Sequence, residues 1–194
     1  MGLTANVVAN TPILSTWGNE IRDRSVQVFA SIAERASQWP TPPAGATSQL
    51  STAPGQLHVY NGTVWVQITP LAAAQNGTST RTNTAYGDLA DGAVPAVTIL
   101  TGTKAIVSVS ANINNSGGAS AVFMGYAVSG ATTIAATDSE ALALTAASAT
   151  QLQAGYESYI TGLTAGLNTF TAKYRAAGGT ITASVRKLRV TPVP

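Results

Sequence analysis

Apolar and polar residues alternate over most of the C-terminal half of the chain. Val97 and Ile99, then Ala105, Val107, Val109, Ala111 and Ile113, all fall on odd positions, the period of a strand with one buried face. Residues 114–118 (NNSGG) turn the chain, and residues 121–128 (AVFMGYAV) are apolar on both sides, as a strand between two layers requires. Residues 131–154 are rich in Ala, Thr and Ser, with room for one or two further strands. Phe170, Ala172 and Tyr174 alternate, Gly178-Gly179 turns, and Ile181, Ala183 and Val185 alternate again. The apolar phase then slips to Leu188 and Val190, which predicts a bulge or bend. About eight short strands without a helical period predict a mainly β fold, an antiparallel β-sandwich or jelly roll over 86–194.

The N-terminal part has a different rhythm. Residues 12–37 read as a helix, with Thr11 as its cap and Pro12 in its first turn. Leu14, Trp17, Ile21, Val28 and Ile32 follow spacings of three, four and seven and form one apolar stripe. Arg24 interrupts the stripe, and Gly18 weakens the helix by about 1 kcal/mol relative to alanine. Such a stripe covers its own domain's core or docks on another subunit; these five residues are the candidate docking and oligomerisation surface. Residues 39–46 (WPTPPAGA) end the helix and form a stiff connector. Leu57, Val59, Val64, Val66 and Ile68 flank Asn61-Gly62, the signal of a hairpin with a type I′ turn. A lone hairpin is marginal in water, so it must pack on the helix or on another chain. Residues 71–85, poor in large apolar side chains, read as a linker. The expected organisation is therefore an attachment region over 1–70, a linker over 71–85 and a β-domain over 86–194.

Composition adds a constraint on surfaces. Apolar residues make up 45% of the chain, enough for a core, but charged residues only 9%, against roughly 25% in ordinary soluble domains. Small side chains such as Ala, Ser and Thr enter subunit contacts at little desolvation cost, whereas Lys and Glu resist burial. The low charge reads either as a Thr-rich β-protein with a neutral surface or as much surface lying in subunit contacts. The net charge of +2 is too small to imply nucleic acid. Lys173, Arg175, Arg186, Lys187 and Arg189 crowd the C-terminus, yet they alternate with apolar residues as on the outer face of strands. No aromatic platforms are interleaved with them, so no nucleic-acid partner is expected. No run of apolar residues approaches the roughly 18 of a membrane span, and no signal peptide is expected at the N-terminus.

The search for chemistry finds little. Cysteine is absent, which excludes disulfides and thiolate catalysis. The single histidine, His58, lies in a hairpin strand with no nucleophile elbow around any serine, and reads as facing solvent or a neighbour. The carboxylate pair Asp88-x-x-Asp91 reads as lying in a loop, with too few oxygens nearby for Ca²⁺. The chain is expected to be no enzyme and to need no cofactor or metal. Trp65, Tyr86, Tyr126, Tyr156 and Tyr159 are candidate sugar platforms if exposed, and core or interface residues if not.

Two stretches resemble a known family. Residues 162–175 (GLTAGLNTFTAKYR), with 178–180 (GGT) and 186–192 (RKLRVTP), look like the closing strands of small β-domains in virion proteins of phages of actinobacteria. Residues 17–24 (WGNEIRDR), with 33–35 (AER) and the Pro-rich connector into 59–65 (VYNGTVW), are similar to attachment regions of the same proteins. These are known as capsid-decoration, minor tail or fibre proteins. The resemblance implies a homotrimer with a jelly-roll head, on the exterior of the phage particle, with capsid or tail proteins as partners. The chain carries no repetitive shaft, which favours a decoration or short-fibre role docked on the capsid. The alternative is a minor tail or tail-fibre protein whose β-domain is a carbohydrate-binding module for host-surface glycan.

Overall fold

The computed structural model describes residue 21 and residues 25–117, 120–145 and 150–194. The chain first builds a small four-stranded sheet. Strands β1 (Gln27–Phe29) and β2 (Thr47–Leu50) pair in parallel, and helix α1 (Ile32–Gln38) makes the crossover between them. Strands β3 (Leu57–Tyr60) and β4 (Trp65–Gln67) complete the order β1-β2-β3-β4.

Two expectations change here. Residues 27–29 are strand, so the described part of the 12–37 segment is not one helix. The reason lies in local chemistry: Val26 and Val28 alternate with Gln27 and Phe29, and β-branched residues favour strands. Ser31 then starts α1, its hydroxyl accepting from the Glu34 amide at 3.0 Å while the Glu34 carboxylate takes the Ala30 amide. The hairpin between β3 and β4 forms as expected, but its loop has four residues rather than a two-residue type I′ turn. Asn61 Oδ1 accepts from the amides of Thr63 and Val64 at 3.1 and 3.0 Å, the local bonding that asparagine offers a turn.

The rest of the described residues form a sandwich of nine strands, eight of them in nested pairs. Strand β5 (Leu71–Gln75) pairs with β13 (Ile181–Val193), β7 (Ala96–Thr101) with β12 (Gly166–Ala176), β8 (Lys104–Asn115) with β11 (Leu152–Thr161), and β9 (Ala121–Gly130) with β10 (Leu142–Thr145). Each pair is antiparallel and nested inside the previous one, the signature of a long hairpin rolled into a jelly roll. The resulting sheets run β11-β8-β13-β5 and β10-β9-β12-β7, with β6 (Ser79–Arg81) also pairing β13. The sandwich thus begins at Leu71, and the stretch 71–85 is not a linker. Leu71 and Ala73 pack inward against the core while Ala72 and Ala74 face out. Alanines carry so little hydrophobic contrast that this alternation is faint in the sequence.

Burial follows the predicted periods. β8 alternates buried and half-buried residues along nearly its whole length, with Val107, Val109 and Ile113 inside. Phe170, Tyr174, Leu188 and Val190 meet them from β12 and β13 in one continuous core. Each large apolar side chain so buried stabilises the fold by about 1.5–3 kcal/mol. The phase slip near the C-terminus is a β-bulge: the register of β13 against β8 shifts between Ser184 and Lys187, and Val185 has φ of 49°.

The bulge turns Arg186 inward, against the expectation of an outer-face cation. Fully buried, Arg186 donates to the carbonyls of Ala93 and Gly77 at 2.7 and 3.1 Å and to the Asp91 carboxylate at 3.0 Å. It ties two loops to the sheet. Arg186→Leu is expected to cost about 1–3 kcal/mol in denaturant unfolding, because three charge-assisted hydrogen bonds that hold the 77 and 91–93 loops are lost. Arg189→Leu, on the exposed face of the same strand, should change stability by no more than about 0.5 kcal/mol.

Candidate functional site

The N-terminal module is built around aromatic side chains. Trp39 follows α1 and packs between Phe29 and Trp65, with ring centroids 6.4 and 5.8 Å away, and Tyr60 lies 5.5 Å from Trp65. Arg35 is buried among them, its guanidinium 4.4 Å from the centre of the Trp65 ring and 2.9 Å from the Ser48 hydroxyl. Among the described residues no carboxylate pairs with it. Burial pushes its pKa down to about 10, so it remains charged at neutral pH.

His58 pairs with Ser48 on one side and Gln67 on the other and is 2% exposed, so it faces neither solvent nor a free surface. Burial, reinforced by the Arg35 charge, pushes its pKa down to about 4 despite an opposing backbone contact at Ser48. On the opposite face of the sheet, Val66 is fully buried. A Cβ at Gly102, in the turn between β7 and β8, would lie only 3.1 Å from Val66 Cγ2, so the small sheet abuts the sandwich there.

The outer surface of this module is apolar where the chain enters it. Ile21, Val26, Val28 and Ile32 are 41%, 48%, 62% and 41% exposed. They are four of the seven exposed large apolar side chains among the described residues. Of the five predicted docking residues, Ile21, Val28 and Ile32 are among these four; Leu14 and Trp17 lie outside the described residues. The three do not share one helical face, since Val28 sits on edge strand β1 and Ile32 opens α1. Beside Ile32 opens a cleft of about 400 Å³, lined by Arg35, Trp39, Pro40, Pro42 and Trp65 from the module and by Leu100 and Ala165 from the sandwich.

The polar residues singled out by the sequence are spent in pins between loops and strands. Asp88 pairs with Lys173 at 2.6 Å, and Asp91 with Arg186, so the Asp88-x-x-Asp91 pair is not a cation site. Among the described residues no group of three or more His, Asp or Glu converges. Arg175 lies over the Phe123 ring at 4.0 Å and grips Asp138 with two bonds, one of 2.7 Å. Tyr86 donates to the same carboxylate at 3.0 Å. The Arg175 bonds hold Asp138 below the usual carboxylate range, and burial raises the Tyr86 phenol.

The candidate sugar platforms divide. Trp65 and Tyr126 are packing residues, Tyr86 and Tyr156 are partly buried and hydrogen-bonded to the 137–139 segment, and Tyr159 alone of the five is exposed, at 55%. Tyr126, Tyr159 and Glu140 line one pocket at the edge of the sandwich. Glu140 was missed in the sequence: it stands two residues after Asp138 in an Ala/Thr-rich stretch, and that spacing by itself matches no motif.

No protein-family model matches the sequence, and no curated protein sequence is similar to it. Solved structures similar in fold include the Eiger TNF of S. frugiperda, at 12% identity over 64% of this chain and 93% of that one, with a TM-score of 0.41. The VP2 protein of infectious bursal disease virus, in T=1 particles, is 11% identical over 74% of this chain, with a TM-score of 0.47. The chain spans only 36% of that VP2. A carbohydrate-binding module from Cellvibrio mixtus lichenase 5A, in complex with cellotriose, is 16% identical over 66% of this chain and 98% of that one, with a TM-score of 0.31. With TM-scores below 0.5, none of them adds to what the strand order of the chain itself establishes. Among the described residues no helix is long and apolar enough to cross a membrane.

The buried histidine makes the N-terminal module sensitive to acid. Its folded pKa of about 4 lies below the ordinary 6.5, so between these values the unfolded chain binds a proton that the folded chain refuses. The stability that neutral His58 contributes is complete above pH 6.5 and is lost as the pH falls toward 4. The loss is expected to be about 3 kcal/mol at most. His58→Gln should flatten this slope relative to the unmodified chain. Tryptophan fluorescence during urea unfolding at stepped pH reads it directly, because Trp39 and Trp65 belong to the same sheet cluster.

Proposed function

We propose that this chain is a non-enzymatic structural protein of a bacteriophage particle. In this reading it is a homotrimer on the outside of the virion, of the decoration or short-fibre kind. The N-terminal module docks it on capsid or tail proteins, the capsid being favoured, and the jelly roll projects. One observation carries the reading: the sandwich closes its own core, while four of the seven exposed large apolar side chains among the described residues, Ile21, Val26, Val28 and Ile32, gather on and around strand β1 and helix α1. Exposed apolar area gathered in this way suits a protein partner.

Trimer packing has a suitable surface as well. On the outer face of β11-β8-β13-β5, Gly155, Ser110, Lys187 and Ala74 stand in one row, with Glu157, Ser108, Arg189 and Ala72 in the next. Between its charged residues the face carries small side chains, with a shallow depression of about 340 Å³ along β5, β8 and β13, and its acid and bases lie on different strands, where Glu157 of one copy can meet the cations of another.

Val28→Ser combined with Ile32→Ser tests the docking. The melting curve is expected to stay unchanged, since both residues are exposed, while occupancy on assembled particles falls by about tenfold or more. A lowered melting temperature would place these side chains in the chain's own core, and normal occupancy would end the docking reading. Sedimentation should give a species of three times 19.6 kDa, and a stable dimer at every concentration would rule out the trimer.

A further inference from the structure

The open side of the sandwich, between edge strand β11 and the connection from β9 to β10, holds a pocket of about 260 Å³. Tyr126, Ile134, Glu140, Tyr159, Ile160 and Thr161 line it. Oε2 of Glu140 is shut away from solvent and makes no hydrogen bond of good geometry, although the Tyr126 phenol lies close enough to interact with the carboxylate. A carboxylate oxygen left so is costly unless something donates to it.

The position of Glu140 is not left to chance. It ends the 3₁₀ turn Asp138–Glu140, and both residues before it are held. Asp138 is gripped by Arg175 and Tyr86, and the carbonyl of Ser139 accepts from the Tyr156 hydroxyl at 2.9 Å. At the floor, the hydroxyls of Tyr126 and Ser158 lie 2.8 Å apart. At the rim stands Tyr159, an aromatic ring more than half exposed.

We propose that this pocket binds one pyranose unit of a glycan. Glu140, whose carboxylate lines the pocket, accepts a sugar hydroxyl, the Tyr159 ring and Ile134 cover the C–H face, and the Tyr126 hydroxyl, held by Ser158, addresses a second hydroxyl. Three features select this ligand class. The polar groups beside the carboxylate are hydroxyls, which both donate and accept, as sugar hydroxyls do. A divalent cation needs several oxygen ligands, and among the described residues no three acidic or imidazole groups converge. The volume lies just under the about 300 Å³ at which sites for drug-sized ligands begin, room for one ring. The inference does not depend on the docking reading.

Saturation-transfer NMR on the whole chain tests it, with D-glucose, D-galactose, N-acetyl-D-glucosamine and methylammonium as probes. At least one sugar is expected to bind with a Kd of about a millimolar. Glu140→Gln and Tyr159→Ala should each weaken it about tenfold or more at unchanged melting temperature, while Leu167→Ala, exposed elsewhere on the sandwich, leaves it intact. Should Glu140→Gln fail to fold, Tyr159→Ala carries the test, because its side chain is largely in solvent. Absence of transfer to every sugar, transfer to methylammonium alone, or sugar binding that survives both substitutions would each overturn the proposal.

Discussion

The last strand of the chain holds the sandwich together. β13 pairs with β8 along one edge and with β5 and β6 along the other, so the chain's end closes on the sandwich's beginning. Antiparallel pairing at such sequence distance is entropically expensive until the core forms around it. Leu188, Val190, Ile181 and Ala183 supply that core from the inner face of the same strand. The bulge in the middle of β13 adds a second function, because it places Arg186 inside, where its guanidinium fastens the 77 and 91–93 loops.

The same device recurs around the sheet edges. All three described aspartates are bonded to a cation of β12 or β13: Asp88 to Lys173, Asp91 to Arg186 and Asp138 to Arg175. In a chain with so few charges, these pairs do not decorate the surface. They pin loops onto strands, and the Asp138 pin presents Glu140 to the edge pocket. The two surfaces of interest lie apart in kind: an apolar, strand-edged face on the N-terminal module and a small polar-aromatic pocket on the sandwich.

Much of the fold was legible in the sequence, because strand periodicity is a local property. The alternation of β8 and the phase slip in β13 appear in the structure as read, since a residue facing a core must be apolar wherever the core comes from, whereas β9 faces the core on one side only and its outward Phe123 is half-buried under Arg175. The antiparallel sandwich followed from these. The strand over residues 27–29 was also written locally, in Val26 and Val28 and in the Ser31–Glu34 cap. A helical spacing of five apolar residues obscured it.

What only the tertiary structure decided are matters of partnership. Leu71–Gln75 becomes a strand because β13 offers it an edge, not because its alanines demand one. Arg35, His58 and Arg186 look like surface residues by type, and their burial depends on a distant aromatic ring, two flanking strands and two loop carbonyls. Glu140 joins Tyr126 and Tyr159 only when two sheet edges and a loop meet. Periodicity tells which way a side chain faces along its own strand. What it then touches is set by contacts between residues far apart in the chain, on which local pattern is silent.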